Sequence, residues 1–248
     1  MKAMIAVTFA LPAESSGFLR RLHKKTRTDR NGIRVIRGEI DNREIGARES
    51  FRNRTIEVLH TGVGEKICRQ RMGSFLQDRQ FDCLISAGFA GALNDRLHVG
   101  DLLVAENFST VRLTEVRAFF SGLPAHIADL LTVPSMIESR EERNRIAQTT
   151  GAVAADMETE FIARACAEHA IPLLSLRVIS DTPSKPLPAP ANVLFNMERQ
   201  RTDLTKLTLH VLKHPGAIPR FLAFARKLAQ AREILANAIL GVVCSIEL

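Results

Sequence analysis

Residues 155–160 read Ala-Asp-Met-Glu-Thr-Glu, and residues 173–181 read Leu-Leu-Ser-Leu-Arg-Val-Ile-Ser-Asp. The first stretch opens a segment in which Met157, Phe161, Ile162, Ala165 and Cys166 recur at helical spacing. The second has the unbroken apolar character of a buried strand that ends at Ser180 and Asp181. A helix over residues 158–169 leading into such a strand makes a sheet interleaved with helices. In α/β sheets the carboxyl end of a strand faces the ligand crevice, so Asp181 marks where chemistry is expected.

The rest of the chain repeats this alternation. Short apolar runs at Met4–Phe9, Ile33–Ile36, Ile56–His60, Cys83–Ser86 and Leu102–Ala105 read as strands, while Ala13–Lys24 and Glu65–Gln77 have helical spacing. Thr61–Gly64 and Gly88–Gly91 read as glycine turns, where backbone amides can come close to a ligand. Thr182–Pro190 holds four prolines in nine residues and reads as a loop directly after Asp181.

Beyond that loop come two amphipathic, basic helical patterns. Leu204, Leu207, Thr208, Val211 and Leu212 form one apolar face, and Phe221, Phe224, Ala225, Leu228, Leu235 and Ile239 form another, with His214-Pro215-Gly216 as the break. Such faces bury against protein, in the domain or in an oligomer, or lie on an anionic lipid surface.

A chain of 248 residues with 46% hydrophobic content can bury one substantial core. Cys68, Cys83, Cys166 and Cys244 lack metal-ligand spacing and sit in apolar or helical text, so reduced thiols, no metal site and a cytoplasmic location are expected. Met1–Ala10 runs straight into Leu11-Pro12-Ala13-Glu14 without a cleavage region and reads as a first buried strand rather than a signal. Ile234–Cys244 is too short to cross a bilayer. The net charge of +7 is uneven: residues 20–54 hold twelve Lys/Arg against five Asp/Glu, residues 55–181 twelve against seventeen, and residues 182–248 nine against four. Basic ends of this kind are solvated surface or meet an anionic partner. Few aromatics and no recognised module argue against nucleic acid.

Met157-Glu158 and Ser180-Asp181, together with Met4–Glu14, Thr61-Gly62-Val63-Gly64, Ala87–Leu93 and Val99–Val104 in that order, resemble the purine nucleoside phosphorylase and methylthioadenosine/adenosylhomocysteine nucleosidase superfamily. The resemblance covers most of residues 1–181. It implies a three-layer αβα fold around a central mixed, twisted sheet with extra C-terminal helices, a homo-oligomer, and no metal or organic cofactor. Residues 1–190 would form the catalytic domain and residues 191–248 a helical extension packed on it. Phosphate would enter only as the co-substrate of a phosphorylase.

The resemblance also implies roles. Cleaving an N-glycosidic bond requires stabilising an oxocarbenium-like ribosyl group, protonating the departing base and delivering a nucleophile. Asp181 matches the acid beside purine N7, with Ser180 next to it, and a desolvated strand end would raise its pKa. Glu158 matches the glutamate on the ribose hydroxyls, and Met157 the methionine packed on the sugar. Glu14 matches the nucleosidase glutamate that orients water and would repel phosphate, so hydrolysis is favoured over phosphorolysis; as a residue type alone it also suits a helix first turn. Arg177 matches an arginine near the nucleophile, and inside an apolar strand it needs an acid, with Glu14 or Glu158 as the expected partner. Gly64, Gly88, Phe89 and Ala90 match the nucleophile and ribose turns. Phe89 departs from the family's Ser or Thr and cannot hydrogen-bond through its side chain.

Val133–Ile137, where the nucleosidases carry a base-pocket aromatic, has none. Leu131–Glu158 and the basic C-terminal extension look more like the hopanoid-biosynthesis branch. That implies removal of adenine from adenosylhopane and contact with the inner membrane face through the C-terminal helices. The alternatives are a methylthioadenosine/adenosylhomocysteine nucleosidase, a purine nucleoside phosphorylase, or a non-catalytic nucleoside-binding relative.

Overall fold

The computed structural model describes residues 4–40, 54–113, 125–196, 200 and 204–245. Part of the first basic stretch, residues 41–53, lies outside them. In chain order the elements are β1 (Met4–Phe9), α1 (Pro12–Arg20), β2 (His23–Arg30), β3 (Ile33–Ile40), β4 (Arg54–His60), α2 (Glu65–Leu76), β5 (Cys83–Ala92), β6 (Leu102–Ala105), β7 (Ala125–Ala128) and β8 (Leu130–Thr132). They continue with α3 (Arg140–Thr150), β9 (Ala154–Asp156), α4 (Thr159–Glu168), β10 (Leu173–Asp181), α5 (Ala191–Leu194), α6 (Leu204–Lys213) and α7 (Ile218–Ser245).

Among the described residues the strands form one mixed sheet in the order β2-β3-β4-β1-β5-β10-β6-β7, with β9 on β5 and β8 on β9. The central strands β4, β1, β5 and β10 run parallel, and the edges turn antiparallel at β3 and β6. Side chains alternate across this sheet. Ile5, Val7 and Phe9 of β1 and Leu174, Leu176 and Val178 of β10 face one core with Phe18 of α1 and Leu235, Ile239 and Val242 of α7. Ala6 of β1 and Leu173 of β10 face a second core with Met72 and Phe75 of α2 and Ile162 and Cys166 of α4. The helices thus form layers on both faces, the αβα arrangement expected. The second half of α7 joins the main core, where each fully buried leucine or isoleucine contributes about 1.5–3 kcal/mol.

Three local differences from the sequence reading have physical causes. β5 continues through Gly88–Gly91 instead of turning there, because both its neighbours extend alongside: Arg177 of β10 pairs with Gly88, and Ala155 of β9 with Gly91. Asp156 closes a strand rather than opening a helix, and α4 begins at Thr159. The helix expected over Ala13–Lys24 stops at Arg20, and His23–Arg30 becomes an edge strand, held by pairing to β3 despite its wholly polar, exposed text.

Candidate active site

The parallel strands β1, β4, β5 and β10 all deliver residues to the same carboxyl-end crevice. β1 leads into α1, whose first turn carries Glu14, with Pro12 at the helix start where its missing N–H costs nothing. β4 leads through Gly64 into α2, whereas β10 ends on Asp181 and Glu158 sits at the N-cap of α4.

Glu14 is buried, and its carboxylate accepts hydrogen bonds from the backbone N–H groups of Leu11 (2.9 Å) and Phe89 (3.2 Å). Burial pushes its pKa above the ordinary range; those N–H groups and the Arg177 charge pull the other way. A Cβ on Gly88 would lie 3.2 Å from Glu14 Oε1, so the glycine leaves the carboxylate room. The contribution of Phe89 is its main-chain N–H, while its ring packs against the main core. Glu158 accepts from the Gly64 N–H at 2.9 Å. Its carboxyl is pushed up to about 8, first by burial and then by the neighbouring Asp156 charge, with the Gly64 N–H opposing.

Arg177 pairs with Asp156, not with Glu14 or Glu158. Odd-numbered β10 residues face α4, which places the guanidinium over the start of that helix. There Nε donates to Asp156 Oδ2 at 3.0 Å, and Nη2 to Ser86 Oγ at 3.0 Å and to the Thr159 hydroxyl. Nη1 donates to the Ser86 carbonyl at 2.9 Å. Asp156 also accepts from Thr132 Oγ1 and from the N–H and hydroxyl of Thr159. The buried arginine is therefore neutralised by an aspartate of its own, and Glu14 and Glu158 keep their carboxyl groups toward the crevice.

Between these groups lies a cavity of about 10 Å³, lined by Thr8, Glu14, Ser86, Gly88, Glu158 and Arg177. That is room for about one water molecule. Thr8 Oγ1 is fully buried and meets no hydrogen-bond partner among the described residues. Val63, Met157 and Phe195 form a small apolar cluster beside it, and the Gln200 side-chain amide brackets Val63, accepting from its N–H at 2.6 Å and donating to its carbonyl at 3.0 Å.

Asp181 occupies a separate buried corner. Ser180 Oγ lies 2.7 Å from its Oδ1, and Arg143 Nη2 donates to its Oδ2 at 2.5 Å. Arg143, from α3, also donates through Nε to the Ile137 carbonyl (2.8 Å) and through Nη1 to the Ala92 carbonyl (3.0 Å). A Cβ on Gly91 would stand 3.3 Å from Asp181 Oδ2. The strand end thus gives Asp181 a cation rather than an apolar wall. Ala90 lies in β5 with its carbonyl 3.2 Å from Ser180 Oγ.

A family model described as the phosphorylase superfamily matches residues 120–213, which carry Arg143, Met157, Glu158, Arg177 and Asp181. Over this stretch the chain is similar to the phosphorylase superfamily. The chain is also similar to the 5′-methylthioadenosine/S-adenosylhomocysteine nucleosidase of Staphylococcus aureus strain JH9, with 22% identity over 160 residues, 53% of this chain and 70% of that one. The fold is that of a futalosine hydrolase mutant of Helicobacter pylori strain 26695 (TM-score 0.71, 15% identity, 98% of this chain and 100% of that one). It is also that of the Streptococcus pneumoniae MTA/SAH nucleosidase solved with 8-aminoadenine (TM-score 0.69, 17% identity, 99% and 100%).

Arg143, Asp156, Thr159, Ser86 and Thr8 were not among the expected site residues. Asp156 had a signal, since a buried arginine requires an acid and Asp156 stands two residues from Glu158. Arg143 had none: it lies in the charged run Arg-Glu-Glu-Arg-Asn-Arg, and only the fold turns it inward. Among the described residues no cluster of His, Cys, Asp or Glu is built to hold a metal ion, and the four cysteines are free and buried.

Proposed function

We propose that this protein hydrolyses the N-glycosidic bond of a purine nucleoside and releases the base. The observation that carries this reading is the water-sized cavity between Glu14, Glu158 and Arg177 at the carboxyl ends of the parallel strands. Two carboxyl groups line it, and an ionised Glu14 there repels phosphate. Burial raises the pKa of Glu14 and so makes its carboxylate a stronger proton acceptor. It takes a proton from water held with the Thr8 hydroxyl, as the water oxygen bonds to C1′ and the bond from C1′ to the base breaks. Glu158 and Met157 receive the ribose. The electron pair departs onto the base, which Asp181 and Arg143 meet together, and the base takes up a proton as it leaves, balancing the one that Glu14 took from water and returns to solvent. Of the five guanidinium N–H groups of Arg143, three are engaged by Ile137, Ala92 and Asp181, leaving two for acceptors on the purine.

The free space takes a water and not a nucleoside, so substrate entry displaces Phe195, which packs with Met157 and Val63, and Gln200, which holds the Val63 backbone. Because the main-chain N–H of Phe89 still serves Glu14, the change of side chain there does not argue for a binding protein without turnover. The substrate is an adenine nucleoside with a large apolar 5′ group, the class that includes adenosylhopane; the basic, apolar α6–α7 segment supports this choice and a cytoplasmic enzyme that touches the inner membrane face. The similarity to the Staphylococcus aureus enzyme favours a second reading, in which the 5′ group is a small thioether. In either case we propose a homo-oligomer that uses no cofactor. Base release from nucleosides differing only at the 5′ position, with Glu14→Gln as the control, tests the reading. Release that persists undiminished in Glu14→Gln removes Glu14 from the mechanism.

A further inference from the structure

We infer that the α6–α7 hairpin docks this protein onto an anionic lipid bilayer. Five large hydrophobic side chains are exposed among the described residues, and four of them lie here: Leu209, Leu212, Ile218 and Leu222, with Leu212 at 71% and Leu222 at 56% exposure. They are not the more covered face of these helices: Leu207, Val211, Phe221, Phe224 and Leu228 are partly covered, and the His210 ring meets the Phe221 ring at 6.1 Å, tying the two helices together. Leu209 and Leu212 share one side of α6, and Ile218 and Leu222 share one side of α7. None of these four belonged to the inward face except Leu212, which the sequence pattern had assigned to it.

The charge around this patch selects its occupant. From residue 204 to residue 232 there are six Lys/Arg and no Asp/Glu. Lys213, Arg220, Arg226 and Lys227 are exposed beside the leucines. A second copy of the chain would bring the same cations face to face, which argues against self-association through this face. A nucleic acid would satisfy the cations and leave the leucines in water. An anionic bilayer satisfies both, accepting apolar side chains at the acyl boundary while its headgroups meet the cations. No described helix is long and apolar enough to cross a membrane, so the contact is interfacial.

Docking has a direct route to the site, and this link rests on the proposed nucleosidase reading. Phe195 packs on Met157 and Val63, Gln200 holds the Val63 backbone, and α6 starts four residues later. Phe195 and Gln200, at the sugar end, thus stand close in sequence to the docking element, and a lipid-borne 5′ group would reach the site from the bilayer.

The test is co-sedimentation of the full-length protein with vesicles of phosphatidylcholine alone or mixed with phosphatidylglycerol, at low and high salt. Binding is expected only to the mixed vesicles, falling with salt, with a loss of about fivefold for each lysine or arginine removed. Leu212→Ser with Leu222→Ser should abolish binding, while leaving the circular dichroism and base release from a water-soluble nucleoside unchanged. Equal binding to both vesicle types, no binding at low salt, or a dimer that the double variant dissociates would overturn the inference. Vesicle binding without base release would overturn the nucleosidase reading and leave the docking surface standing.

Discussion

Replacing Arg143 by Met removes the cation from a buried carboxylate and tests the least expected feature of the site. Both members of the Arg143–Asp181 pair are more than nine-tenths buried. Removing one leaves an uncompensated charge, at about 3–5 kcal/mol. Arg143→Met also frees the Ile137 and Ala92 carbonyls, about 1 kcal/mol each, for a loss of about 5–7 kcal/mol. Asp181→Asn alone loses about 3–5 kcal/mol, because the guanidinium stays buried without its carboxylate. The double variant has no orphaned charge, so its loss should fall below that of Arg143→Met, toward the ~2 kcal/mol of the two freed carbonyls, instead of reaching the sum of about 8–12 kcal/mol. Urea denaturation of the four proteins measures it, with the slope checked for constancy. Losses that simply add would refute the pair as an energetic unit and return Asp181 to the role of an isolated acid. The same reasoning makes Asp181→Asn a poor control for activity alone, since it perturbs folding as well as the proposed base contact.

Other consequences follow from the same geometry. Glu158 has a folded-state pKa of about 8, above the unfolded value of about 4.3, so the native state holds the extra proton between them. Its contribution to stability is complete below about pH 4.3 and is lost as pH rises through about 8. Thermal unfolding midpoints should therefore fall from pH 6 to pH 9, and Glu158→Gln should flatten that decline; an unchanged slope contradicts the raised pKa. Glu14→Gln should cut base release by about 10²–10⁴-fold, whereas Phe89→Ala, which keeps the N–H on Glu14, should cut it by less than about tenfold even if stability falls; equal losses would mean that the Phe89 ring and not its amide serves the site. Arg177→Met should lose about 3–5 kcal/mol of stability by stranding Asp156, read by chemical denaturation, and Asp156→Asn in the same chain should recover part of it.

The central layers were legible because their pattern is physical. β1, β6 and α2 keep the expected positions within a residue, since period and burial agree there. What stayed hidden was set by partners distant in sequence. β2 is polar on both faces and is a strand only because β3 lies beside it. Gly88 and Gly91 read as a turn, yet they serve as gaps in a strand for the carboxyl groups of Glu14 and Asp181. Glu14, Glu158 and Asp181 could be named from the motifs, but the assignment of acid to cation could not, because Arg143 and Arg177 each choose among carboxylates that only the fold brings within reach.

Hydrolysis at Glu14 and its cavity is tested by free adenine released from adenosine, methylthioadenosine and a nucleoside with a large apolar 5′ group, each with and without phosphate. Release is expected at the same rate in both conditions, fastest for the large apolar 5′ group. Release that requires phosphate, or no release from any of the three, would contradict it.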